Sequence, residues 1–269
     1  MEKGLRAQAP IGVFDSGVGG LSVLRHIRDQ LPTQDLLYVA DSAHAPYGSK
    51  TPEQIQARSL LLAEFLVGQG AKALVIACNT ATAAAVALLR ERYAIPILGM
   101  EPAVKPAVAA TQSGVIGVLA TSGTLKSARF AALLESHGSN VRVVTQAAHG
   151  LVECVERGDI DSAATRSLLW QYLEPLLSAG ADTLVLGCTH YPFLSAPIRA
   201  LVGERVAIID TGEAVARHLR RRLQAEGLLG ADQSPGRAKF WSSGDIVLGQ
   251  QVIERLWGPL EHPLAAFTH

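Results

Sequence analysis

Short runs of consecutive apolar residues alternate along the chain with longer stretches in which apolar residues recur at helical spacing. IGVFD at 11–15, DLLYVA at 35–40, ALVIAC at 73–78 and PILG at 96–99 form a first series. VIGVLA at 115–120, VRVVT at 141–145, TLVLGC at 183–188 and VAIID at 206–210 form a second. Helical patterns such as 53–68 and 161–179 lie between them, and a late run, AKFWSS at 238–243, precedes a last helix from 245 to 257. A strand covered on both faces has no polar side to alternate with. Unbroken apolar runs separated by helices therefore predict an α/β fold with mostly parallel sheets.

The second series repeats the first. AKALVIACNTA at 71–81 aligns with ADTLVLGCTHY at 181–191, an offset of 110 residues. IGVFDS at 11–16 aligns with IGVLAT at 116–121, and SAH at 42–44 with AAH at 147–149, both at an offset of 105. Three matches in the same order predict two similar α/β lobes. Residues 1–100 with 211–269 are expected to form the first and 101–210 the second. The boundaries are read at the Pro-rich GMEPAVKPA (99–107) and the turn DTG (210–212). Ligands of open parallel sheets sit beyond the carboxyl ends of strands. Cys78 and Cys188 occupy corresponding strand ends, and facing lobes would bring them to one cleft from opposite sides.

Composition narrows the possible partners. Of 269 residues, 48% are hydrophobic and 18% charged, which suits a packed core and not a disordered chain. The 24 Lys and Arg balance 24 Asp and Glu, leaving no overall field to gather nucleic acid or an anionic membrane. The most apolar stretches are broken by Gln69, Lys72 and Asn79, well short of the roughly 20 residues that span a bilayer. The first ten residues lack the apolar stretch of a secretory signal, so a cytoplasmic location is expected. Three cysteines, an odd number in a reducing compartment, argue for reactive or buried thiols over disulfides.

The chemistry concentrates in Cys78-Asn79-Thr80 and Cys188-Thr189-His190, where each thiol is followed at once by hydrogen-bonding side chains. A lone cysteine is usually a small buried hydrophobe, and Cys154 within LVECVERG reads that way. Two opposed thiols suit the inversion of a carbon acid, one as thiolate base and one as thiol acid, because a cysteine titrates near about 8.5. Asp15-Ser16 ends the first strand before GVGG at 17–20. Ser22 stands where a dinucleotide fingerprint needs its third glycine, so the glycines read as a tight turn offering amides to a smaller anion. AHAPYGSKT at 43–51 lacks phosphate-loop spacing, and Pro46-Tyr47-Gly48 reads as a turn that either holds a carboxylate or merely lies at the surface. No further ligands accompany Cys188 and His190, so no metal is expected. A Cys-His hydrolase built on Cys188 would leave Cys78 without a role.

IGVFDSGVGGLSVL (11–24), YVADSAHAPYGSKT (38–51), VIACNTATA (75–83), ATSGTLKS (120–127) and LVLGCTHYPFL (184–194) together resemble the aspartate/glutamate racemase superfamily, and within it the glutamate racemases. The likeness runs in order from residue 11 to 225. It implies two pseudosymmetric α/β domains with the active site between them, and cofactor-independent interconversion of L- and D-glutamate to supply peptidoglycan synthesis. It further implies no pyridoxal phosphate; a homodimer is expected. Cys78 and Cys188 match the paired acid/base cysteines, the first acting on the D-isomer and the second on the L-isomer. Asp15, Ser16, Tyr47, Gly48, Asn79, Thr80, Thr189 and His190 match substrate-binding positions, with Pro46 in the same turn. Asp41, Glu153 and His190 match groups that assist proton transfer, and Thr121 matches a further ligand contact. The tail beyond 225 carries no family motif. A racemase for aspartate or another acidic amino acid, and a non-catalytic two-lobed amino-acid-binding protein, are the rival readings.

Overall fold

The computed structural model describes residues 7–138, 140–230 and 234–268. Residues 1–6, part of the stretch expected to carry no targeting signal, lie outside the described residues. The strands are β1 (Ile11–Asp15), β2 (Leu36–Ala40), β3 (Ala73–Ile76), β4 (Ile97–Leu98), β5 (Val115–Ala120), β6 (Arg142–Ala147), β7 (Thr183–Gly187), β8 (Ala207–Ile209), β9 (Ala238–Ser242) and β10 (Ala265–Ala266). All but the two-residue β10 fall on the expected apolar runs. The order is β10-β9-β2-β1-β3-β4 in one sheet and β6-β5-β7-β8 in the other, and every pairing is parallel. Helices cover the sheets, and β1, β2, β3 and β7 are buried along their whole length.

The internal repeat is visible in the topology. The orders β2-β1-β3-β4 and β6-β5-β7-β8 correspond strand for strand, so that Gly12 of β1 is the counterpart of Gly117 of β5. Each glycine lets its neighbours close in. A Cβ at Gly12 would lie 2.8 Å from Leu74 Cδ2 and 3.1 Å from Leu66 Cβ, and one at Gly117 2.8 Å from Leu184 Cδ2 and 3.2 Å from Leu176 Cβ. The same leucine pair, 110 positions apart in the chain, fills the same space twice.

Helix starts follow their capping residues. Thr51 caps Pro52–Gly68 with a reciprocal bond to Gln54, Ser162 caps Ala163–Ser178, and Asp245 caps Ile246–Trp257. The lobes are not separate globules: Val18, Leu21 and Leu24 of the first share one continuous apolar core with Val152, Val155 and Leu194 of the second. Among the described residues no helix is long and apolar enough to cross a membrane.

Candidate active site between the two sheets

The strands deliver their polar residues to one place because a parallel sheet aligns all its carboxyl ends. β1 ends at Asp15, β2 leads into Asp41, β3 into Cys78, β5 into Thr121, and β7 into Cys188, Thr189 and His190. Neither cysteine is itself in a strand. β3 stops at Ile76, where its pairing with Phe14 ends, and Cys78 caps the helix Asn79–Arg92, its sulfur accepting the Ala81 amide at 3.4 Å.

Cys78 and Cys188, both buried, line one narrow pocket between the lobes. Ser16, Pro46, Tyr47, Gly48, Asn79, Thr80, Thr121, Thr189 and His190 line it with them. Its free volume is about 10 Å³, room for barely one water, so the lobes are shut on one another here. Thr80 from the first lobe meets Thr121 (2.8 Å) and Thr124 (3.1 Å) from the second, hydroxyl to hydroxyl. Outside this contact a cleft of about 920 Å³ opens past Gly48 and Thr121, bordered by Lys50, Lys126 and His149.

The two thiols have different neighbours. The Cys78 sulfur lies 3.7 Å from the Ser16 hydroxyl; burial, reinforced by the Asp15 carboxylate, pushes its thiol well up and keeps it protonated. Cys188 Sγ lies 3.7 Å from His190 Nδ1, and His190 Nε2 lies 2.6 Å from Glu156 Oε1. Burial alone would depress the imidazole. The bonds to Cys188 and Glu156 outweigh it and hold His190 well above its ordinary range, so both ring nitrogens donate.

Asp15 is wholly buried, and its carboxylate accepts the amides of Ser16 (2.7 Å) and Gly20 (2.6 Å) and the Thr189 hydroxyl (3.3 Å). Burial raises its pKa to about 6, with Glu156 adding to the rise and His190 opposing it. Asn79 Nδ2 is buried without a hydrogen-bond partner among the described residues, a donor turned toward a space where no acceptor of the protein stands.

Asp15 thus lies behind the pocket lining and not on it, and two further expected residues, Asp41 and Glu153, also stand off the wall. Asp41 is not on the pocket wall: its carboxylate is taken up by Arg58, Tyr47, Ser243 and His44. Burial would lift its pKa, but the bonds from Arg58, Tyr47 and Ser243 outweigh burial and pull it down, which leaves the group a poor proton carrier. Glu153 borders the outer cleft, and the carboxylate that reaches His190 is Glu156, one turn further along Leu151–Glu156. Glu156 also accepts the Val18 amide at 2.7 Å and the Ser42 hydroxyl at 2.8 Å, tying both lobes together. The Val18 and Gly20 amides of the GVGG turn are thus occupied by the protein's own carboxylates, Glu156 and Asp15, and are not free for another anion. Sequence reading missed Glu156 and Thr124; the only signal for the first was a second carboxylate in LVECVE. Among the described residues no cluster of three or more His, Cys, Asp or Glu is arranged to hold a metal ion.

The comparisons with known proteins agree with this geometry. The Asp/Glu/Hydantoin racemase family matches residues 11–219. A glutamate racemase of Ectopseudomonas mendocina is 62% identical over 254 residues, 94% of this chain and 96% of that one. The structure of a glutamate racemase from Bacillus anthracis superposes with a TM-score of 0.85 at 37% identity, covering 96% of each chain. That of Francisella tularensis glutamate racemase in complex with D-glutamate gives 0.84 at 29% identity, over 97% of this chain and 98% of that one. The chain belongs to the Asp/Glu/Hydantoin racemase family and, within it, to the glutamate racemases.

Proposed function

We propose that the protein interconverts L- and D-glutamate by transferring protons between Cα and two opposed sulfurs, Cys78 and Cys188. The observation that carries the reading is that the two thiols, at corresponding ends of β3 and β7, line one narrow pocket. One thiolate takes the α-hydrogen as a proton. The thiol on the other face gives its proton to the resulting carbanion, and the sulfurs end with exchanged protonation states. By the family resemblance Cys188 acts on the L-isomer and Cys78 on the D-isomer. His190 beside Cys188 and Ser16 beside Cys78 give each sulfur its own polar neighbour on its own side of the pocket.

Excluded water and fixed donors supply the stabilisation that a carbanion beside a carboxylate needs. Asn79, with its unused amide, and the hydroxyls of Ser16, Thr80, Thr121 and Thr189 are suited to the substrate carboxylates, with the Tyr47-Gly48 turn beside them. Asp15 stands behind the pocket wall, where it holds the Thr189 hydroxyl and contributes a negative charge beneath the site. The Francisella tularensis relative bound to D-glutamate supports this substrate. A cytoplasmic homodimer feeding D-glutamate to peptidoglycan belongs to the same reading.

The test is racemisation in deuterated water without added cofactor. Each glutamate enantiomer is expected to take up deuterium at Cα as it inverts, and Cys78→Ser and Cys188→Ser each to lose turnover by about a thousandfold. Inversion without exchange, or undiminished turnover in either variant, refutes the two-thiol mechanism. Faster initial rates on D-aspartate than on D-glutamate would replace the substrate.

A further inference from the structure

Asp41 is the centre of a cluster that the proton-transfer scheme does not use. Arg58, from the helix Pro52–Gly68, grips both its oxygens, Nε to Oδ2 at 2.9 Å and Nη2 to Oδ1 at 2.8 Å. Ser243, directly after β9, donates its hydroxyl to Oδ1 at 2.8 Å and with the same oxygen accepts the Ala43 amide at 3.1 Å. The fourth bond leads to the active site: the Tyr47 phenol donates to Oδ2 at 2.6 Å. Tyr47 is 1% exposed and lines the inner pocket, and the next residue, Gly48, lies so close to the opposite lobe that a Cβ there would be 2.8 Å from Thr121 Cβ. The carboxylate thus stands behind the pocket wall and fixes the turn that forms it. The Arg58 guanidinium also lies 5.8 Å from the Phe267 ring, so the carboxy-terminal segment braces the cluster at two points.

We propose that Arg58 and Ser243 are positioning residues for the reaction: by holding Asp41 they fix the Tyr47 hydroxyl, and through it the Tyr47-Gly48 wall against which the substrate carboxylate is seated. The geometry favours this over a purely structural ion pair. The acceptor sites that the Arg58 fork leaves on Asp41 are filled by two hydroxyls, from Ser243 and Tyr47, and the second belongs to the pocket wall, so the ion pair is tied directly to the site. The proposal rests on the substrate reading above, and the wild-type protein's turnover of glutamate tests that reading separately.

The experiment compares Ser243→Ala and Arg58→Lys with the parent. Lysine keeps the charge and loses the fork. Each variant is expected to raise KM for glutamate about twofold to tenfold, as loss of one well-placed hydrogen bond does, with kcat within about twofold and the melting midpoint little changed. In a Tyr47→Phe background, where the phenol no longer reports on Asp41, Ser243→Ala is expected to add almost nothing. An unchanged KM in both single variants overturns the proposal. So does a Ser243→Ala effect that persists at full size beside Tyr47→Phe.

Discussion

His190 Nε2 and Glu156 Oε1 stand 2.6 Å apart, and the two side chains fill the space that the first lobe leaves by having glycine at 17 and 19. A Cβ at position 17 would lie 1.9 Å from Glu156 Oε1, and one at position 19 would lie 2.2 Å from His190 Nδ1. Both positions have negative φ, so an alanine is opposed by contact and not by backbone strain.

Gly19→Ala is therefore expected to move the imidazole away from Cys188, cutting kcat by at least about tenfold, the low end of what a positioned acid or base contributes. Gly17→Ala meets the end of a flexible carboxylate side chain and costs less. Gly68→Ala, which touches nothing within 4 Å, serves as control and should leave turnover unchanged. Steady-state kinetics on the three variants decides; a fully active Gly19→Ala would show that the ring position is not needed.

Acid should disarm the site through Asp15. Burial pushes its carboxyl up to about 6, so below that pH the group is neutral and the negative charge behind the pocket is lost. kcat/KM for glutamate is expected to fall about tenfold per pH unit below about 6. The limb should vanish in the residual activity of Asp15→Asn. If it stays at the same pH in that variant, another group is responsible.

The repeat gives a paired stability test. Gly12→Ala and Gly117→Ala each place a methyl 2.8 Å from an equivalent leucine. Both should destabilise the fold by about 1–3 kcal/mol, the range for overpacking a core. Thermal melts that respond to one and not the other would mean that the lobes pack their equivalent strands differently.

Much of this was legible in the letters, for identifiable reasons. Strands covered on both faces write themselves as unbroken apolar runs, which placed β1, β2, β3 and β7, while the half-exposed β6, β8 and β9 were found from shorter apolar stretches between helical patterns. A duplicated strand end marks its own importance, which singled out Cys78 and Cys188. What stayed hidden depends on contacts distant in sequence. Glu153 and Glu156 are three residues apart on one helix, and only the docking of that helix against Val18 and His190 decides which carboxylate enters the site. The glycines of GVGG announced a turn, but that their empty volume receives the other lobe's side chains is not a local property. Ser243 follows a strand with no recognisable motif, and it reaches Asp41 only because β9 pairs with β2. β10, two alanines long, has no periodicity to detect.

The order in which the strands pair bears on synthesis. β2 lies between β1 and β9, yet β9 follows the entire second sheet in the chain. As the polypeptide leaves the ribosome, one flank of β2 has no ladder partner until residues 238–242 emerge, by which time β5 to β8 are all available to fold. The nascent amino-terminal half thus carries an open, wholly apolar strand edge through most of translation, the kind of edge that invites pairing with another chain.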